Sequence, residues 1–271
     1  DILVLGAIPI EDLDLVIRYD ITLSLFSKDY MDEIQRLYHH HQPVKVHIKI
    51  DTGMNRIGIK SKKEFEDILS HCQNSIFQVD GVFTHFATAD DPLQKEAYHR
   101  QIEMFYDVIG NHTFRYIHCQ NSAAMMYHHD ERSNLGRIGI AMYGIDPSGE
   151  ECDELKQVMS LYTRVAMIKK VKKGERIGYG HTYTALEDEY IATLPIGYAD
   201  GLIRANQGRQ VYIAGYYYPI VGRICMDQMM VKVDENVHLH DRVEIFGEHI
   251  SLARMAKELS TIPYEIVCLV S

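Results

Sequence analysis

The stretch Val44-Lys45-Val46-His47-Ile48-Lys49-Ile50-Asp51-Thr52-Gly53-Met54-Asn55-Arg56-Ile57-Gly58 sets the reading of the chain. A largely apolar run breaks into a polar loop punctuated by Gly53 and Gly58, which reads as a strand and the turn after it. Outward from this point the pattern recurs. Candidate strands fall at residues 2–5, 21–26, 44–50, 79–86, 116–119 and 137–143. Helix-like stretches separate them: one opens at Ser27 with Met31, Ile34 and Leu37 at helical spacing, and others cover residues 62–71 and 94–109. Alternation of this kind predicts parallel strands in βα units. Strands so rich in apolar residues are expected to be covered on both faces. Six such strands make most of a closed (β/α)8 barrel of the TIM type, which needs eight. Open parallel edges are a liability, so two further βα units are expected to precede Asp1.

Past Asp146-Pro147-Ser148-Gly149-Glu150 the pattern changes. Strands are expected at residues 158–171, 189–195, 210–214, 218–226, 229–233 and 242–246, with a hairpin turn at Ile213-Ala214-Gly215-Tyr216. One late helix, residues 251–259, opens at a capping serine, Ser251. The fold class is therefore α/β plus β. An N-terminally truncated barrel domain spans residues 1–147, and a mostly β domain spans 148–271.

Composition narrows the function. The formal net charge of −10 over 271 residues argues against a nucleic-acid surface. No apolar run is long enough to span a bilayer, and no signal peptide opens the chain. Five scattered cysteines without Cys-x-x-Cys spacing point to free thiols in a reducing cytoplasm and to no zinc site. His39-His40-His41 reads as a solvated helix end, because adjacent side chains on a helix diverge; no metal is expected.

In a parallel barrel, chemistry gathers at the C-terminal ends of strands. Lys49 and Arg56, then His85, then Asn121 and Ser122, then Arg137 with Gly139 and Ile140 all lie there. Ser122 and the amides of Gly139 and Ile140 suit a phosphate, since glycine permits close approach and amides meet phosphate oxygens. Ser122 also reads as a helix N-cap, and both roles are compatible.

The ordered set Lys49 to Gly58, Thr84-His85-Phe86-Ala87, His118-Cys119-Gln120-Asn121-Ser122, Arg137-Ile138-Gly139-Ile140, Gly178-Tyr179-Gly180, Gly197-Tyr198-Ala199-Asp200-Gly201 and Arg223-Ile224-Cys225-Met226-Asp227 resembles the alanine racemases, enzymes of pyridoxal 5'-phosphate (PLP). The resemblance implies interconversion of L- and D-alanine by two bases, supplying D-alanine for peptidoglycan, in a homodimer with shared active sites. It implies Tyr179 as one catalytic base. The other, the PLP lysine, is expected in a segment this sequence does not contain. It places Arg56, His85, Ser122, Arg137, Gly139, Ile140 and Tyr264 on the cofactor. Arg137 would meet the pyridine nitrogen, with His85 buttressing it. Arg56, Met226, Tyr198, Arg204, Arg223 and Asp227 would meet substrate or line its access path, and Lys49 matches a lysine carbamylated in many relatives. The alternatives are a serine racemase of the same family, which Tyr264 disfavours by narrowing the pocket, and a non-catalytic PLP-binding protein, which the second domain disfavours. A barrel decarboxylase would place a carboxylate where Arg137 stands.

Overall fold

The structure is a computed structural model that describes residues 1–270. The chain divides into two compact units, Asp1–Gly139 and Ile140–Ser271.

The first unit is a parallel sheet in sequence order, β1 (Ile2–Val4), β2 (Ile21–Leu25), β3 (Val44–Lys49), β4 (Phe77–Phe83) and β5 (Tyr116–His118). Helices α1 (Leu13–Arg18), α2 (Lys28–Leu37), α3 (Lys62–Cys72), α4 (Lys95–Ile109) and α5 (Ser122–Tyr127) complete it. Their starts are chemically marked. Ser27 Oγ accepts from Tyr30 N at α2, and Ser61 with Glu64 forms a capping box at α3.

The two faces of the sheet differ. Val44, Val46 and Ile48 of β3 join Leu23, Leu25 and Val82 in the core that also holds Met31 and Ile34 of α2, Phe65 and Ile68 of α3 and Phe105 of α4. The alternate positions of β3 are Lys45, His47 and Lys49. A strand shows alternate residues to opposite faces, so these polar side chains share the other face. A register shift between Val46 and His47 puts Asp80 in a bulge and pairs His47 with Gly81 and Lys49 with Phe83. The β4–β5 register then sets Gly81 beside Tyr116 and Phe83 beside His118. Both faces are covered, as expected, but by different chemistry: the helix-covered face is apolar, and the inner face carries buried Ser24, His47, Lys49, His118 and the Phe83 ring.

A second correction concerns residues 137–143. Arg137–Gly139 carry no strand, and Ile140–Tyr143 form a 3-10 helix, so the parallel sheet has five strands among the described residues. Gly136 and Gly139 bracket Arg137 and give the segment little β preference. The histidine run is also displaced from its expected place: α2 ends at Leu37, and His40 Nε2 lies 2.7 Å from Asp14 Oδ1 in the loop beyond.

The second unit is built on a seven-stranded antiparallel sheet of order β6-β14-β11-β12-β13-β10-β7, with a small β8-β9 hairpin. The strands are β6 (Leu161–Arg164), β7 (Met167–Val171), β8 (Arg176–Ile177), β9 (Tyr183–Thr184), β10 (Glu189–Leu194), β11 (Gln210–Ile213), β12 (Tyr216–Val221), β13 (Met229–Val233) and β14 (Arg242–Phe246). The stretch 158–171, expected as one strand, is two, placed at opposite edges of the sheet. The hairpin at Ala214-Gly215 forms as expected, with both residues at positive φ and Ile213 opposite Tyr216. Ser251 caps α6 (Leu252–Leu259), and a further helix, α7 (Pro263–Leu269), follows. Val211, Ile213, Val231, Val243 and Phe246 are buried in this unit's core.

Candidate active site

The loop after β3 is shaped by Asp51. Its Oδ1 accepts from the backbone N–H groups of Gly53 (3.0 Å) and Asn55 (2.9 Å), and its own N–H donates to Ile59 O at 2.8 Å. Gly58 sits at φ +131, where a Cβ would lie 2.7 Å from Asp51 N. Only glycine closes this loop, and the closed loop presents exposed Arg56. Thr52 Oγ1 and Thr84 Oγ1 are 2.8 Å apart, and Gln101 Nε2 donates to Thr52 Oγ1 at 3.2 Å while its Oε1 accepts from Ala87 N. The loops after β3 and β4 are thereby tied together.

At the strand ends lies a cluster of cations. Lys49, 4% exposed, sits over the Phe83 ring with Nζ 4.7 Å from its centroid. Burial, then Arg137 and Arg56, push its ammonium down to about 8, with Asp51 opposing. His85 is held down to about 4 by burial and by Arg137, Lys49 and Arg56. A site this rich in positive charge, with one carboxylate opposing it, is built for an anion.

Arg137 is the best-anchored member. Its Nη1 donates to His118 Nδ1 at 2.7 Å and to His118 O at 3.0 Å. Its Nη2 donates to Thr84 O at 2.8 Å, with His85 Nδ1 and Cys119 O both at 3.5 Å. The expected buttress, His85, is therefore the weaker one, because a 3.5 Å contact is at the limit of a hydrogen bond. The stronger is His118, fully buried and stacked on Phe83 at 4.8 Å. Nε–H of Arg137 has no partner among the described residues.

Ser122 is buried, and its Oγ accepts from Gly139 N at 2.8 Å. It is not the N-cap of α5; Asn121 is, accepting from Ala124 N at 2.9 Å. The Ser122 hydroxyl keeps its proton to give elsewhere. A Cβ built on Gly139 would meet nothing closer than Ser122 Oγ at 3.9 Å. Packing within the chain does not demand glycine there, whereas close approach of a ligand would.

In the second unit Gly178 (φ +73) and Gly180 (φ +70) flank Tyr179 in a turn that leaves it 71% exposed. Its phenol has no hydrogen-bond partner among the described residues. A Cβ on Gly180 would lie 2.7 Å from Arg223 Nη1, so the guanidinium packs against this turn. Tyr179 lines a cavity of about 760 Å3 with Lys170, Arg176, His181, Cys225 and Gln228. The Cys225-Met226 strip is pinned from behind: Tyr198 N donates to Cys225 O at 3.1 Å and Ala199 N to Met226 O at 2.9 Å. Met226 is exposed and its N–H donates to no described group. Tyr198, Arg204 and Asp227 are exposed, Tyr264 lies in the first turn of α7, and the Ile140 side chain is buried in this unit's core.

Residues 1–147 match the family model described as alanine racemase, N-terminal domain, and residues 158–271 that of alanine racemase, C-terminal domain. The chain belongs to the alanine racemase family. The alanine racemase of Halalkalibacterium halodurans is 40% identical over 287 residues, spanning 100% of this chain and 74% of that protein. The crystal structure of alanine racemase from E. faecalis superposes with a TM-score of 0.93 at 36% identity, covering 99% of this chain and 76% of the other. The histidine racemase of Leuconostoc mesenteroides is also similar, with a TM-score of 0.89 at 28% identity and coverage of 99% and 76%. The fold is thus that of the alanine racemases, and the family's enzymes are PLP-dependent isomerases.

As an alanine racemase family member, the chain carries five of its seven expected cofactor residues, Arg56, His85, Ser122, Arg137 and Gly139, in the first unit, and Ile140 and Tyr264 in the second. Lys49, Arg56, His85 and Arg137 act on one another electrostatically, and Ser122 and Gly139 touch. The expected base Tyr179 and the expected substrate residue Arg223 adjoin the same turn in the second unit, and Tyr198 is bonded to the strip that carries Met226. The sequence reading missed His118 and His47. A period-2 check of β3 and β5 finds them, because His47, Lys49 and His118 fall at alternate, inward positions.

Proposed function

We propose that this chain takes part in the interconversion of L- and D-alanine with PLP, supplying one of the two bases, in a cytoplasmic homodimer with shared active sites that supplies D-alanine for peptidoglycan. The observation that carries the cofactor reading is Arg137. Four of its five N–H donors are consumed by His118, Thr84 and their neighbours, and the remaining Nε–H is left for a ligand acceptor. An unprotonated pyridine nitrogen is such an acceptor, and a permanently charged arginine keeps it unprotonated. The Ser122 hydroxyl and the Ile140 amide would hold the phosphate, and the Gly139 amide, which donates to Ser122 Oγ, would orient that hydroxyl. Tyr264 would reach the phosphate as well. Arg56 would meet the phenolic oxygen and the substrate carboxylate, and His85 would stay neutral beside them. When bound, PLP supplies the electron sink that acidifies the amino acid α-proton.

The chain's own contribution is proton handling and orientation. Tyr179 takes or returns the α-proton on one face; its exposed phenol, in a turn packed against the Arg223 guanidinium, suits that task. The Met226 N–H would hold the substrate carboxylate, with Tyr198, Arg204, Arg223 and Asp227 along its access path. The second base is a lysine that holds PLP, expected outside this segment. Lys49 fits a carbamate. An amine depressed to about 8 has a sizeable neutral fraction near pH 7.5, and the carbamate would replace a buried cation by an anion beside Arg56.

The test is racemisation of L-alanine, L-serine and L-histidine by the PLP-loaded protein, followed by circular dichroism. Alanine is expected to give the highest kcat/KM. Faster turnover of histidine or serine would overturn the substrate reading while leaving the reaction class intact.

A further inference from the structure

The inner face of the sheet holds a second buried histidine, beneath the layer that meets the ligand. His47 is 4% exposed, and its Nδ1 lies 2.8 Å from His118 Nε2. Aliphatic side chains usually fill such layers in parallel barrels, so a buried pair of imidazoles asks for a reason. Room is made for it. The bulge at Asp80 sets Gly81 opposite His47, and a Cβ on Gly81 would lie 2.8 Å from the His47 ring. Tyr116 closes the other side, 5.5 Å between ring centroids.

Proton bookkeeping orders the chain of contacts. Arginine has only donors, so the 2.7 Å contact from Arg137 Nη1 makes His118 Nδ1 an acceptor. A neutral His118 then carries its proton on Nε2 and donates it to His47 Nδ1. His47 in turn must be neutral with its own proton on Nε2. Every donor in the series points away from Arg137. If His118 carried its proton on Nδ1, two N–H groups would face each other at 2.7 Å and Arg137 would have to move.

We propose that His47 is a positioning residue for Arg137, acting through His118: its Nδ1 locks His118 in the Nε2–H tautomer and so keeps His118 Nδ1 an acceptor for the guanidinium. Burial holds His47 down to about 4 and His118 to about 2, so neither charges near neutral pH to break the series. Phe83, stacked on His118, and the Gly81 gap fix both rings in place.

Imidazole 15N spectra of the full chain labelled in histidine, without cofactor, test this directly. His118 and His47, assigned by loss of signals in single Asn variants, are expected to show a pyridine-type Nδ1 and a pyrrole-type Nε2. In His47→Asn the amide oxygen takes the place of Nδ1 and the His118 pattern persists. In His47→Leu it shifts toward the Nδ1–H form. A charged or Nδ1–H His118 in the unsubstituted protein, or an unchanged His118 in His47→Leu, overturns the proposal. Should His47→Leu fail to fold, His47→Ala, which also removes the acceptor, carries the same expected shift and the same overturning result. One further readout rests on the proposed role of Arg137. In the holoenzyme His47→Leu lowers kcat about tenfold with KM within roughly twofold, and His47→Asn restores most of it. A shifted His118 pattern with unchanged kcat upholds the positioning and counts instead against that role of Arg137.

Discussion

Arg137 Nη1 and His118 Nδ1 are 2.7 Å apart, and this contact orients the one guanidinium edge that no other residue uses. Lysine in place of Arg137 keeps a charge but loses the planar fork that binds His118, Thr84 and Cys119 at once. Arg137→Lys is expected to retain PLP, to lower kcat by about tenfold or more, and to change the absorption spectrum of the bound cofactor. A spectrum and kcat equal to those of the parent would show that Arg137 does not face the ring.

Lys49 gives a pH signature. Its folded-state value, about 8, lies below its ordinary 10.5. Between those values the unfolded chain binds the proton and the native chain does not, so this group makes stability rise with pH across that window and penalises the fold below about 8. Lys49→Met removes the penalty. Its melting temperature is expected to exceed that of the parent at pH 7, with the gain shrinking between pH 8 and 10.5. Measured in carbon-dioxide-free buffer, a gain independent of pH would contradict the reading. Added bicarbonate should stabilise the parent and leave Lys49→Met unaffected.

Ser122 and Gly139 separate ligand binding from packing. Ser122→Ala is expected to weaken PLP about tenfold, the worth of one hydrogen bond to a charged group. Gly139→Ala has room inside the chain, with Ser122 Oγ at 3.9 Å, and should change stability by less than about 0.5 kcal/mol. It should nevertheless weaken PLP, and absorbance titration measures both. Equal PLP affinity in Gly139→Ala would remove the phosphate from this position.

Gly58 carries the reverse prediction. Its φ of +131 and the 2.7 Å approach to Asp51 N leave no space for a Cβ. Gly58→Ala should cost about 1–3 kcal/mol and should raise KM for alanine by moving Arg56. Thermal unfolding and steady-state kinetics check the two halves separately.

What the sequence made legible follows physical range. The βα alternation, the hairpin at Ala214-Gly215 and the helix openings at Ser27 and Ser251 are local signals, and the structure has them. The strand expected at 137–143 does not form: Ile138 and Met142 are exposed, and no ladder pairs the segment. The division of 158–171 into two edge strands depends on pairing partners far along the chain, β14 and β10. The chemical motifs pointed to Arg137, Ser122 and Gly139. They did not point to His118 as the stronger partner of Arg137, because that choice rests on a bulge at Asp80 and on inter-strand register.

The most direct test of the account follows α-proton exchange in deuterium oxide by the PLP-loaded Tyr179→Phe protein, starting separately from L- and from D-alanine. If Tyr179 is one of two bases, exchange from one enantiomer falls by about 100-fold or more, exchange from the other persists, and racemisation is lost, with PLP still bound. Equal exchange from both enantiomers at the parent's rate would contradict it.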